Sequence, residues 1–117
     1  MRNFKELIVW QKAKGLVKDI YTLSVDFPAD EKFGITNQLR RAAVSITCNI
    51  SEGCGRRTDA DFGRFLDMAA GSATEVENLI YLSFDLGFIN EGDQNDIAVK
   101  VTEVQKMILG LNNSLKK

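Results

Sequence analysis

Apolar residues recur at intervals of three and four along almost the whole chain, and this helical period is its strongest constraint on folding. We predict four helices, from Glu6 to Ser24, from Lys32 or Thr36 to Glu52, from Asp59 to Leu86 and from Gln94 to Leu115. With one Pro, nine Gly and no alternating strand pattern, few breaks are expected. The sequence therefore predicts an all-α fold, an up-down-up-down antiparallel four-helix bundle, as one domain over residues 1–117.

The segments between the predicted helices contain residues that start or stop helices. Thr58 or Asp59 is suited to cap the N-terminus of helix three, because a short polar side chain can accept a hydrogen bond from a free backbone N–H of the first turn. Gly53 or Gly55 is expected to end helix two in the left-handed conformation, and Gly87 is expected to end helix three.

Helix two carries an unusual polar stripe. At 3.6 residues per turn, one narrow line along the helix contains Gln38, Arg41, Ser45, Asn49 and Glu52. Apolar or small residues border this line on both sides, so we expect its polar groups to be buried. Buried polar groups are stable only when they are hydrogen-bonded or paired. The stripe therefore predicts a specific packed contact or a site.

Helix three carries a matching set of polar residues beside its core face, namely Arg64, Ser72 and Glu75. We expect the two stripes to meet, with Arg41 paired to Glu75 or Arg64 paired to Glu52. Removing one partner of a buried ion pair costs about 3–5 kcal/mol, because the other charge is left uncompensated.

Three interpretations of this polar cluster remain open. It can be a structural network that fixes the bundle register or a subunit interface, or a binding site for an anion or an RNA element. It can also be a catalytic site with Glu52 and Glu75 as acid and base, although no nucleophile or metal-ligand set accompanies them. The chain has no His, and the spacing of Cys48 and Cys54 fits no zinc site. We expect no cofactor, no metal and no enzyme activity.

Charge is unevenly distributed along a chain whose net charge is −1. Residues 1–64 carry eleven Lys or Arg against eight acids, residues 65–99 carry seven acids and no base, and residues 100–117 are again positive. A pI near 5.4 argues against a dedicated nucleic-acid binder. The residues that remain candidates for nucleic-acid contact are Lys5, Lys12, Lys14, Arg56 and Arg57.

The sequence gives no sign of membrane insertion. No apolar run approaches the roughly 20 residues that a membrane-spanning helix needs. The N-terminal segment has too short an apolar run for a signal peptide and no small-residue cleavage site. We therefore expect a cytoplasmic protein that does not interact with membranes.

Several ordered motifs between residues 4 and 90 resemble one known family. Those of the first two helices and the turn between them are Phe4-x-x-Leu7-x-Val9-Trp10-Gln11-Lys12-Ala13, Phe27-Pro28-x-x-Glu31-x-Phe33-Gly34, Gln38-Leu39-Arg40-Arg41-Ala42 and Ser45-Ile46-x-x-Asn49-Ile50-x-Glu52-Gly53-x-Gly55-Arg56. Those of helix three are Asp61-Phe62-x-Arg64-Phe65-Leu66 and Gly71-Ser72-x-x-Glu75-x-Glu77. Together they resemble the four-helix bundle proteins of the 23S rRNA intervening-sequence family.

This resemblance implies an all-α bundle that assembles as a cyclic homopentamer and has no established enzyme mechanism. We therefore expect a non-enzymatic scaffold or adaptor, a homo-oligomer whose further partner is a protein or an RNA. A related branch of the family contains accessory proteins of diversity-generating retroelements, which bind a reverse transcriptase and nucleic acid. The alternative expectation is accordingly a nucleic-acid-binding accessory of a reverse transcriptase.

Overall fold

The computed structural model describes residues 2–116, and these contain four long helices and no strand. The helices are α1 (Ile8–Ser24), α2 (Ile35–Cys54), α3 (Asp59–Asp85) and α4 (Glu91–Ser114), with short 3-10 turns before α1 and before α2. The all-α prediction is confirmed. The predicted domain, residues 1–117, extends beyond the described part by one residue at each end.

Side-chain capping contacts explain where α3 and α4 begin. The Thr58 side chain accepts the Asp61 N–H at 3.1 Å, so the predicted cap of α3 is confirmed. α4 begins three residues earlier than predicted, because the Asn90 side chain accepts the Asp93 N–H at 2.7 Å. Residues 4–6 form a 3-10 turn and Leu7 is extended, so α1 begins two residues later than predicted.

Gly87 ends α3 as predicted, with a φ of +80°. The Phe88 N–H donates to the Ser83 carbonyl and the Gly87 N–H donates to the Phe84 carbonyl, both at 2.9 Å, which is the Schellman pattern. The prediction of a left-handed glycine at the end of α2 is wrong. Gly55 has a φ of −84°, and its N–H donates to the Glu52 carbonyl three residues earlier, which tightens the last turn of the helix.

One hydrophobic core lies between the four helices. Its largest fully buried side chains are Leu16, Ile20, Leu39, Ile46, Ile50, Phe62, Leu66, Val76, Ile80, Val101, Val104 and Ile108. All four helices contribute to this set, as the helical period predicted. The molecule measures 45 × 24 × 20 Å, and its long axis is close to the roughly 40 Å length of the 27-residue α3.

Where two contacts join the same pair of helices, the residue that comes later in one helix contacts the residue that comes earlier in the other. Between α1 and α4, Lys12 pairs with Glu103 at 3.1 Å and Asp19 pairs with Lys100 at 2.8 Å. Between α2 and α3, Ser45 bonds to Ser72, and Gly53 packs against Phe62, where an added Cβ would lie 2.8 Å from Phe62 Cδ1. Within the described residues, no helix is long and apolar enough to cross a membrane.

Candidate interaction site

The structure brings the two polar stripes together where α2 crosses the middle of α3. The hydroxyls of Ser45 and Ser72 are hydrogen-bonded at 2.9 Å. Asn49 Nδ2 donates to the Ser45 carbonyl at 2.9 Å and to the Ser45 hydroxyl at 3.1 Å. These three half-buried side chains form one small network, so the polar atoms that are removed from water here have protein partners.

A cleft of about 330 Å³ begins beside this network, and we refer to it as the polar groove. The residues that line the polar groove are Asn37, Gln38, Arg41, Ala42, Ser45 and Glu75. Arg41 and Glu75 therefore face one cavity, as the matching stripes predicted. Among the described residues, however, neither forms an ion pair within 4.0 Å.

Within one chain, the expected burial of the stripe does not extend to its outer members. In the isolated chain the exposed residues of the cluster are Gln38, Arg41, Glu52, Arg64 and Glu75, while Ser45, Asn49 and Ser72 are half-buried. The short side chains end inside the contact between the helices, whereas the long ones extend past it into solvent. Extension into water avoids the cost of desolvating a charge.

The predicted pair between Arg64 and Glu52 is also wrong. Arg64 instead contacts Asp61 at 3.4 Å, and Glu52 contacts Arg56 at 3.5 Å. Both observed pairs join residues three or four positions apart on one helix or at its end. Such exposed local pairs form without holding two helices together, and they contribute only about 0–1 kcal/mol.

The two carboxylates proposed as an acid–base pair do not share a site. From the Ser45–Ser72 bond, Glu52 lies seven residues onward along α2, and Glu75 lies three residues onward along α3. Because contacting residues of these helices run in opposite order, the two displacements add. At 1.5 Å per residue their backbones are roughly 15 Å apart along the helix axes. Glu52 and Glu75 therefore belong to separate surfaces.

A second candidate surface lies at the junction of α2 and α3. Arg2, Gly55, Arg56 and Arg57 line an open cavity of about 790 Å³. The Arg56 guanidinium lies 4.6 Å from the centre of the Phe65 ring, and Arg2 bonds to the Asp59 carboxylate. We refer to this region as the arginine cleft.

The structure separates the five basic residues predicted to contact nucleic acid. Arg56 and Arg57 lie together in the arginine cleft. Lys5 lies in the 3-10 turn before α1, Lys12 is paired with Glu103 of α4, and the Lys14 ammonium lies 5.4 Å from the centre of the Trp10 ring. Lys12 and Lys14 are two positions apart on a helix and so point in different directions. These five residues do not form a single patch.

Sequence reasoning missed a buried polar contact between α3 and α4. Asn112 is buried, and its Nδ2 donates to the Asp67 carboxylate at 2.8 Å and to the Gly63 carbonyl at 3.4 Å. An added Cβ on Gly63 would lie 2.8 Å from Asn112 Oδ1, so the glycine lets this amide approach. The signal was present, because Asn112 follows Ile108 by four positions on the core face of α4.

The two free cysteines differ in exposure. Cys48 is exposed on α2, whereas Cys54 is buried at the end of that helix. Burial raises the pKa of the Cys54 thiol, and nearby Arg2 opposes this rise to a smaller extent. Since the thiolate is the reactive form, Cys54 is a packed and unreactive thiol in the folded chain.

Comparison with known proteins agrees with the motifs and the fold. No curated protein matches the chain. A solved structure of a protein with unknown function from the S23 ribosomal protein family of Bacteroides thetaiotaomicron VPI-5482 is similar, with 25% sequence identity and a TM-score of 0.81. The match covers 90% of this chain and 98% of that chain. The family model of the 23S rRNA-intervening sequence protein matches residues 5–110, which span all of α1, α2 and α3 and most of α4, and the chain therefore belongs to that family.

Proposed function

We propose that the protein is a non-enzymatic scaffold or adaptor that acts as a homo-oligomer, a cyclic pentamer of up-down-up-down four-helix bundles. The opposite order of contacting residues in α1 with α4 and in α2 with α3 supports alternating helix directions. The matching family supports the scaffold role, and the Ser45 hydroxyl in the polar groove is hydrogen-bonded to Ser72 and Asn49 rather than to the Glu75 carboxylate.

The polar groove is the observation that carries the proposal. Arg41 and Glu75 face one cleft without forming an ion pair within 4.0 Å in the described part of the chain. Two opposite charges that share a cleft can both be satisfied by groups of a second copy. A ring needs such a head-to-tail interface, in which one surface of a subunit contacts a different surface of the next.

The mass of the protein in solution tests this proposal. Size-exclusion chromatography with light scattering should give five times the 13.1 kDa chain mass. Arg41→Ala and Glu75→Ala should each lower that mass, since an interface charge loses its partner at a cost of about 3–5 kcal/mol. Lys106→Ala, an exposed change on α4, is the matched control. A monomeric wild type, or a mass unchanged in both variants, would refute the interface.

Cysteine reactivity gives an independent test of the same surface. Cys48 lies two turns after Arg41 on the exposed side of α2. An interface along α2 should protect Cys48 from alkylation in the oligomer and expose it when the oligomer is diluted until it dissociates. Cys54 should react only after the chain unfolds, because it is buried within its own subunit. Rapid alkylation of Cys48 in the intact oligomer would exclude α2 from the interface.

The arginine cleft favours the second candidate, a nucleic-acid-binding accessory of a reverse transcriptase. Its three arginines share one open cavity, and Arg57 has no carboxylate within 4.0 Å among the described residues. Single-stranded RNA should then bind with an affinity that falls steeply with salt, and Arg57→Ala should reduce the slope of that dependence by about one unit. Lys106→Ala again serves as the control. Equal slopes for the two variants would reject this role of the cleft.

A further inference from the structure

The connections between α1 and α2 and between α3 and α4 lie together at one end of the molecule. The rings of Phe27 and Phe88, one from each connection, are packed with their centres 5.5 Å apart. Phe27, Ile35 and Ile89 are buried and join this end to the core. We define the acidic end as the residues of these two connections and their helix ends, 25–35 and 85–95.

Three large apolar side chains of the acidic end point into solvent. The exposed fraction is 87% for Phe33, 70% for Val25 and 58% for Leu86. None of them belongs to the set of side chains that pack against the core. Phe33 is the most exposed large apolar side chain in the described part of the chain, and the connections that carry the three side chains meet at the Phe27–Phe88 contact.

The same end is strongly negatively charged. Residues 25–35 and 85–95 contain six acids and one base, in a chain whose net charge is only −1. The acids that form no ion pair within 4.0 Å in the described structure include Asp26, Asp30, Asp85 and Glu91. Asp85 also lies at the C-terminus of α3, where the helix dipole disfavours a negative charge. Helix stability therefore does not explain its position.

We propose that the acidic end binds a basic segment of another protein, with an apolar side chain of that segment packed against Phe33. The surrounding acids would pair with its lysine or arginine residues, and this charge complementarity selects a basic partner. The Lys32 ammonium lies 5.6 Å from the centre of the Phe33 ring, so the ring face already accepts a cation. The inference rests on the adaptor function and specifies the chemistry of its protein partner.

Selection from a randomised peptide library on the immobilised full chain tests the proposal. Enriched peptides should combine lysine or arginine with leucine, phenylalanine or another large apolar residue. The affinity of these peptides for Phe33→Ser should be about tenfold lower than for the wild type. Their affinity for the wild type should also fall as the salt concentration rises. Leu109→Ser, a change at a side chain that is 61% exposed on α4, should leave the affinity unchanged. In the same peptide-binding measurement, Asp85→Asn tests the negative charge of the acidic end, and Glu6→Gln is its control.

Several outcomes would overturn the inference. Enrichment of no peptide, enrichment of acidic peptides, or equal binding by Phe33→Ser and Leu109→Ser would each do so. A lower oligomer mass in Phe33→Ser would show that a second copy of the chain, rather than another protein, covers this end. The oligomer itself is tested separately through Arg41 and Glu75, so failure of the peptide site is distinguishable from failure of the scaffold proposal.

Discussion

Replacing Gly53 by alanine tests whether the end of α2 is packed as tightly as its surroundings indicate. An added Cβ would lie 2.8 Å from Phe62 Cδ1 and 2.9 Å from Phe65 Cβ, and both phenylalanines are buried. Alanine normally stabilises a helix interior by up to about 1 kcal/mol relative to glycine. Overpacking of this kind costs about 1–3 kcal/mol. Since the second effect is larger, Gly53→Ala should lower the free energy of unfolding by about 1–2 kcal/mol.

Gly110→Ala is the matched control for this change. Gly110 is exposed within α4, and an added Cβ would have no described neighbour within 4 Å, so only the helix-propensity gain applies. Urea unfolding followed by circular dichroism should shift to lower urea for Gly53→Ala and to higher urea for Gly110→Ala, with unchanged slopes. If both variants were stabilised equally, the close contact between α2 and α3 at Gly53 would be refuted.

Three further changes are expected to alter stability in different directions. Asn112→Ala should cost about 1–3 kcal/mol in the same urea assay, because Asp67 and Gly63 lose the amide that bonds them; an unchanged midpoint would contradict this role. Thr36→Val should stabilise by about 1 kcal/mol, because the buried Thr36 hydroxyl has no hydrogen-bond partner in the described residues; a loss of stability would show that the hydroxyl is satisfied. Hydrogen bonds to Asp19 and Asp96 raise the pKa of Lys100 in the folded chain. The contribution of Lys100 to the free energy of unfolding is therefore fully present below its ordinary pKa of 10.5 and is lost as pH rises through the higher folded-state pKa. Lys100→Met should thus cost at most about 1 kcal/mol at pH 7, and a difference from wild type that does not shrink as the Lys100 ammonium is titrated would contradict the assignment.

The helices could be predicted from the sequence because their apolar period is regular. Their ends were predicted less well, since a capping side chain such as Asn90 is also a common loop residue. Asn90 to Asp93 contains no apolar side chain, and the start of the helix is shown by two bonds, from the Asp93 N–H to the Asn90 side chain and from the Gln94 N–H to the Asn90 carbonyl. Similarly, Gly55 was suited to a left-handed turn, but a glycine can also adopt ordinary helical angles.

The candidate site could be predicted only in part, because the period gives the direction of a side chain but not its reach. Ser45 and Ser72 are short, so facing one another was sufficient for a bond. Arg64 and Glu52 are long and flexible, and each contacts a nearer opposite charge instead. A helical projection therefore shows which residues share a groove, whereas the choice among charged partners depends on distances in the folded chain.

Substitutions at exposed positions of this fold can change binding to a partner without changing the stability of the folded chain. A similar chain retains the fold with a TM-score of 0.81 at 25% identity, so many residues can change while the packing remains. Phe33, Arg41 and Arg57 are exposed, and truncating such residues usually changes the stability of a single chain by less than about 0.5 kcal/mol. A change in oligomer mass, RNA affinity or peptide affinity in these variants would therefore report a lost contact outside the chain. Because the three residues lie on different surfaces, each result assigns one surface to one kind of partner.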